Sequence, residues 1–157
     1  MTTPIILQDE LVEEIKRLFK DYLYKQPGTN ERVPINVFPQ NIPVPESDDE
    51  DDPIPYIIVR VNKGNDEGTR DSNHTVKILF IIGIWDDARD AQGHRDVLNI
   101  IHKVYARFKI TPNLNNIAVC TGGFDWALQE DGYYPYFFGA CSLDFHIAAL
   151  RREDEFV

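Results

Sequence analysis

The stretch HTVKILFIIGIWDDARDAQGHRDVLNIIHKVYARF, residues 74–108, decides the fold. Its first part alternates in side-chain character and predicts a β-strand from His74 to Trp85. An acidic turn follows. Apolar residues three or four apart then predict a helix that begins at about Ala88 or Gly93 and ends at Phe108. The strand starts half-exposed and ends apolar on both sides, so we expect another element or another subunit to cover its second face.

Weaker patterns predict the remaining elements. Residues 7–25 are predicted to form a helix, because apolar residues recur at helical spacing and acids precede bases, the order that the helix dipole favours. Residues 27–55 are rich in proline and are predicted to be mostly loop, with Ile35, Val37 and Ile42 in short edge strands or extended contacts. A polar connector is expected at 62–73. The other predicted strands are 54–61, 117–120, 124–129 and 136–150.

This order of elements predicts an α+β fold. Hairpin-length connections indicate an antiparallel, or mixed, β-sheet with two main helices packed on one face. A chain of 157 residues has the size of a single domain. We expect that domain to span residues 1–157, with a loop-rich acidic insertion at about 40–53 and a frayed tail at 151–157. The face opposite the helices is expected to carry Tyr56, Arg60, Asp144 and His146.

Charge and composition exclude several classes of function. The net charge is −10, and six of the acidic residues lie within 46–52. An acidic chain gains no affinity from counterion release at phosphates, so specific nucleic-acid binding is not expected, although a surface that DNA passes without being held fits this charge. Cys120 and Cys141 have no metal or disulfide spacing, which favours free, buried thiols in a reducing compartment. No apolar run is long enough for a membrane helix, and the N-terminus shows no signal-peptide pattern.

The acidic turn offers candidate chemistry. Asp86 and Asp87 could form a paired-carboxylate acid–base site, and Asp90 with His94 has the spacing of a metal pair on one helical face. A structural role is favoured, because Asp86 or Asp87 can cap the following helix by accepting hydrogen bonds from its free N–H groups. No nucleophile elbow or phosphate-binding glycine loop occurs. We therefore expect no catalytic residue, no metal and no cofactor.

Aromatic and apolar side chains near two strand ends suggest an interface. The cluster at 133–138 contains five Tyr and Phe residues, which are enriched at protein–protein contacts. Core packing is the alternative role. Together with the strand end that is apolar on both sides, this cluster defines the predicted oligomer or partner interface: Arg60, Leu79, Ile81, Trp85, Tyr134, Tyr136 and Phe138.

Three segments carry a resemblance to a known family. They are IPYIIVR at 54–60, IIGIWDD at 81–87 and DAQGHRDVLNII at 90–101. In this order, with a polar loop between the first two, they resemble the tail terminator (tail completion) family of long-tailed bacteriophages and prophages. The resemblance extends over about residues 5–150. The acidic run at 46–52 is not part of it.

The resemblance implies a structural protein without catalysis. Members form a homohexameric ring at the head-proximal end of the tail tube, where they stop tube polymerisation. The expected partners are further copies of the chain, the tail tube protein and the head–tail connector (stopper) protein, while DNA passes through the lumen. The expected location is the virion tail, after synthesis in the bacterial cytoplasm.

Two other functions stay open at this point. One is a neighbouring head–tail connector (neck) subunit, which would bind the portal side rather than the tube. The other is a small divalent-metal-dependent enzyme that uses Asp86, Asp87, Asp90 and His94.

Overall fold

A long strand at the middle of a six-stranded sheet organises the fold. The computed structural model describes residues 1–47 and 52–150. Its helices are α1 (Pro4–Phe19) and α2 (His94–Ile110). Its strands are β1 (Leu23–Lys25), β2 (Arg32–Pro34), β3 (Asn36–Pro39), β4 (Tyr56–Asp66), β5 (His74–Trp85), β6 (Asn113–Leu114), β7 (Ala118–Leu128) and β8 (Tyr136–Ile147).

The sheet is mixed and runs in the order β3-β4-β5-β8-β7-β6. Among the described strands of this sheet, β3 and β4 are parallel and the other neighbours are antiparallel. Strands β1 and β2 form a separate hairpin. Helix α1 lies over β3 and β4, and α2 lies over β5, β8 and β7, so that both share one core. The predicted α+β class, with two helices on one face, is confirmed.

The core follows the periodicities of the sequence. On β5, every second residue from Val76 to Ile84 is buried against the helices, as the strand period requires. Phe108 of α2 lies between Phe80 and Phe145, with ring-centroid distances of 6.3 and 5.2 Å, and meets Phe145 edge to face. The buried residues of α1 are Leu7, Leu11, Val12, Ile15 and Phe19.

The first helix is shorter than predicted. Thr3 caps it by accepting a hydrogen bond from the Ile6 N–H at 3.2 Å, and Pro4 occupies the first turn. The helix ends at Phe19, so the predicted extension to residue 25 is wrong. Leu23–Lys25 forms β1 instead, because this extended segment pairs with β2 and buries Tyr24. Apolar spacing alone does not separate a last helical turn from a short strand.

Several strand boundaries also differ from prediction. Strand β4 continues to Asp66, and the exposed part of its hairpin with β5 contains a bulge between Val61 and Lys63. The two short strands predicted at 117–129 are one strand, β7, interrupted by a bulge between Thr121 and Asp125. The last strand ends at Ile147 rather than at residue 150.

Gln40, directly after β3, connects that strand to α1 and β4 through its side chain, a role that the sequence patterns did not predict. Its side-chain oxygen accepts hydrogen bonds from the Val61 N–H and from Gln8 of α1, both at 3.0 Å, and its amide nitrogen donates to the Val61 carbonyl at 3.2 Å. The side chain thus substitutes for a neighbouring strand where β3 has ended, because backbone groups need partners.

Two predicted segments lie outside the described residues. They are residues 48–51 of the acidic run and the predicted frayed tail at 151–157.

Gly83 permits a close cross-strand contact. Tyr56 is its register partner on β4, and a Cβ atom at Gly83 would lie 2.5 Å from the Tyr56 ring. We expect Gly83→Ala to lower the free energy of unfolding by about 1–3 kcal/mol, because the ring must shift within a packed cluster. Urea denaturation measures this. Gly132→Ala is the control, since no atom lies within 4 Å of its added Cβ. An equal loss in a Tyr56→Ala background would contradict this origin.

Candidate assembly interface

The sheet face opposite the helices carries an apolar surface. Antiparallel register partners share a face, so the rows Ile58–Ile81–Ala140 and Tyr56–Gly83–Phe138 lie side by side. We call the apolar part of this face the outer band. Its members are Phe38, Tyr56, Ile58, Leu79, Ile81, Trp85, Tyr136 and Phe138.

The chain covers the outer band only in part. Ile54, Tyr56, Ile58 and Trp85 are buried in a small second cluster, while Phe38, Ile42, Ile81, Tyr136 and Phe138 pack against it and stay half-buried. Both helices lie on the other side of the sheet. A half-exposed apolar sheet face of this kind is typical of a protein interaction surface.

The predicted interface residues fall into three groups. Leu79, Ile81, Tyr136 and Phe138 are half-exposed on the outer band, as an interface requires. Trp85 lies on the same face but is only 9% exposed, because the chain's own second cluster buries it. It therefore offers little contact surface, and for this residue the expected cover comes from within the chain.

Arg60 and Tyr134 lie at the margin of the outer band. The Arg60 guanidinium donates to the Gln40 carbonyl at 3.0 Å and to the Asn41 side chain at 3.3 Å. Tyr134 belongs to the turn before β8, is 50% exposed, and donates its hydroxyl to the Asp87 carbonyl. These contacts give the apolar surface a polar rim, as interfaces commonly have.

The far half of the same face is polar. Lys77 and Asp144 are register partners and form an ion pair at 3.6 Å, next to Thr75 and His146. The prediction that Tyr56, Arg60, Asp144 and His146 share this face agrees with the observed register.

Asp86 fastens the turn after β5. Its carboxylate accepts hydrogen bonds from the Lys25 ammonium at 2.7 Å and from the Ala88 N–H at 3.0 Å. Burial alone would raise the pKa of Asp86, but these two hydrogen bonds outweigh it and hold the pKa below its ordinary value. The hydrogen bond to Asp86 in turn raises the pKa of Lys25.

The predicted helix cap is wrong, although Asp86 does accept a hydrogen bond within the turn. Helix α2 begins at His94, its N-cap is Gly93, and no side chain makes a capping hydrogen bond there. Gly93 is required by packing, since a Cβ atom at this position would overlap the Phe137 ring. Asp87 is mostly exposed, and its oxygen lies 4.0 Å from Lys25. Both carboxylates therefore precede the helix by too many residues to cap it.

The four residues of the hypothetical metal site are not brought together. Asp86 and Asp90 line a charged cleft with Lys25, Arg32 and Arg95, whereas His94 lines a separate aromatic cleft beside Tyr134. Asp90 accepts a hydrogen bond from the Gln92 N–H at 3.2 Å. Within residues 1–47 and 52–150, no group of three or more His, Cys, Asp and Glu side chains is placed to hold a metal ion.

The two cysteines are buried, free thiols, as predicted. Burial raises the pKa of Cys141 to about 12 and also raises the pKa of Cys120. Both thiols therefore stay protonated and unreactive near neutral pH.

No protein-family model matches the chain, and no curated protein is significantly similar to it. In the part of the chain that the structure describes, neither helix is long and apolar enough to cross a bilayer.

Two features of this region were missed by the sequence patterns. Lys25, the partner of Asp86, is 61 residues away in the chain. The second is a groove between α2 and β7, lined in part by Tyr105, Phe124 and Trp126. Phe124 and Trp126, which closely follow the Gly122-Gly123 pair, were the available signal for it.

Asp86→Asn tests the turn. We expect it to lower the free energy of unfolding by about 1 kcal/mol at pH 7, because a charge-assisted hydrogen bond is lost. Since the folded pKa lies below the ordinary 3.8, this contribution is complete above pH 3.8 and disappears as the pH falls through the folded value. Chemical denaturation of both proteins across this range measures it.

Asp87→Asn is the matched control and should change stability little, since this side chain is 62% exposed. Equal effects of the two substitutions, or an Asp86 effect that persists in strong acid, would contradict the assigned role of the ion pair.

Proposed function

We propose that this chain is a structural assembly subunit of the phage tail terminator type. Copies of the chain bury the outer band in contacts with their neighbours and form a ring, hexameric as in the family that the sequence resembles. The ring caps the tail tube, ends its polymerisation and docks the head connector, and DNA passes through it. This function needs no catalytic residue, metal or cofactor.

The outer band is the observation that carries the proposal. It is an apolar sheet face on which Leu79, Ile81 and Phe138 stay half-exposed while both helices lie on the opposite side. Burying such side chains is favourable by about 25 cal/mol per Å² of apolar surface, and a subunit contact supplies that burial.

The segments that carry the family resemblance form one unit of the structure, which supports the proposal further. Segment 54–60 pairs with 81–87 through β4 and β5, with the Tyr56 ring over Gly83. Segment 90–101 begins beside them, where Gly93 packs against Asp86. The resemblance thus falls on residues that meet in space at one end of the outer band.

The charge of the chain fits this use. At −10 it disfavours retention of DNA within a lumen, since like charges repel.

Leu79→Asp tests this function. Leu79 is half-exposed and belongs to neither hydrophobic cluster, so the substitution should leave the fold intact. We expect the wild type to self-associate with rising concentration, or on addition of its tail tube protein. Leu79→Asp should weaken that association at least about tenfold, because it places a charge in the contact. Light scattering coupled to size-exclusion chromatography measures both proteins.

Thr75→Asp is the matched control, because it adds the same charge on the same strand and face but in the polar half. Circular dichroism checks that each variant is folded. A wild type that stays monomeric at high concentration and does not bind the tube protein would refute the proposal. Equal weakening by both substitutions would refute the role of the outer band.

A further inference from the structure

A second unpartnered surface lies on the other side of the sheet. A groove of about 740 Å³ runs between α2 and β7. Its lining includes Leu98, His102, Tyr105, Lys109, Phe124 and Trp126. Tyr105 and Phe124 lie with ring centroids 4.6 Å apart, and Trp126 is 55% exposed. Large exposed aromatic groups in a concave site are typical of the anchoring centre of a protein contact.

The sheet edge beside this groove is open. Strand β6 pairs only with Ala118 and Val119 at the start of β7. Beyond them, β7 has β8 on one side and, in the described part of the chain, no strand on the other. Nothing within the described chain therefore covers the aromatic groove from the edge, and the bulge at 121–125 keeps this edge irregular.

The groove also lies in the basic part of an acidic chain. Residues 97–124 contain no Asp or Glu but include Lys103, Arg107 and Lys109. Arg107 pairs with Glu14, and Lys103 donates to the Tyr22 hydroxyl. The Lys109 ammonium donates to the Gly122 carbonyl, a neutral partner, so its charge at the groove is not balanced by that contact.

The chain itself presents a surface of matching chemistry. The β7–β8 turn, residues 129–135, reads QEDGYYP and combines two acids with two tyrosines and no base. Glu130 and Asp131 are exposed, and Tyr133 is 56% exposed. The turn is held in place, because the Asp86 N–H donates to the Pro135 carbonyl at 2.8 Å and Tyr134 bonds to Asp87. A fixed, exposed turn loses little conformational entropy on binding.

We propose that the α2–β7 groove receives the β7–β8 turn of a second copy of this chain. The Tyr133 ring packs among Tyr105, Phe124 and Trp126, and Glu130 with Asp131 faces Lys109. The inference rests on the proposed self-assembly and adds to it a contact between two different patches. Such head-to-tail contacts form a ring when the rotation between successive copies closes, whereas a single self-complementary patch gives a dimer.

A nucleic-acid single strand is the competing occupant, since unpaired bases stack on aromatic side chains and a lysine attracts the phosphates. The second copy is favoured because a single Lys109, not a track of cations, lines the groove in the described part of the chain, and because the net charge is −10.

Charge exchange tests this contact in the full-length protein. Lys109→Glu alone, and Glu130→Lys with Asp131→Lys, should each weaken self-association at least about tenfold by sedimentation velocity. The triple variant carrying all three changes should recover the wild-type association. Trp126→Ala and Tyr133→Ala should also weaken association. Neither substitution changes the charge or removes Lys109, so both test the contact independently of the Lys109–Gly122 hydrogen bond that Lys109→Glu loses. Lys20→Glu, an exposed reversal directly after the other helix, is the control.

The outcomes separate the two proposals. A wild type that associates while the groove and turn variants associate equally well would overturn this inference and leave the proposed function standing. A triple variant as weak as the single reversals would also overturn it. Binding of a labelled DNA single strand that Lys109→Glu abolishes, with self-association unchanged, would assign the groove to nucleic acid instead. A wild type that does not associate, alone or with its tube protein, would overturn both.

Discussion

The apolar character of both faces of β5 near its end is the constraint on which the structure depends. Its helix-facing residues from Val76 to Ile84 are inaccessible to solvent, and near its end Ile81 and Trp85 on the other face are also apolar. Because strand side chains alternate, no register of β5 avoids burying apolar groups on both sides. The helices satisfy one face. The other is covered only partly, by Phe38, Ile42 and the aromatic start of β8, and the outer band is what remains.

The same constraint explains the Asp86 turn. The chain must leave β5 and return as α2 on the helix-bearing face, and Gly93 lets it pass close to Phe137. The Lys25–Asp86 ion pair fixes this reversal to the β1–β2 hairpin, and the Pro135 carbonyl and Tyr134 hydroxyl fix it to the turn before β8. The sequence pattern of two carboxylates after a strand is also found at catalytic sites. In this structure Asp86 makes the contacts that hold the turn, with Lys25 and the Ala88 N–H.

Strong local periodicity made much of the fold predictable. The predicted bounds of β5 match the observed strand, and the strand period of two assigns its residues to the two faces. Helix α2 was predicted with either of two starts, and the later one, at Gly93, is the better match. The exposed ends of β4 and the single strand β7 were not predictable, because their pairing partners, not their own side chains, determine their extent. Likewise, the apolar spacing of β1 continues the helical spacing of α1, so the sequence predicted one more helical turn there.

The candidate surfaces differ in how far the sequence specifies them. Leu79, Ile81, Tyr136 and Phe138 share a face through strand period and hairpin register, both of which the sequence encodes locally. The α2–β7 groove is formed by two elements that approach each other in the fold. The sequence does not show that Trp126 and Tyr105 line the same site. Contacts such as Lys25–Asp86 and Gln40–Val61 are non-local for the same reason.

The central claim is that assembly buries the outer band. Thiol labelling of a Leu79→Cys variant tests it most directly, because the native Cys120 and Cys141 are buried and react slowly. The labelling rate should be high in dilute protein and fall sharply under assembly conditions, while a Thr75→Cys variant on the polar half of the same face changes little. Equal labelling of the Leu79→Cys variant in the dilute and assembled states would contradict the account.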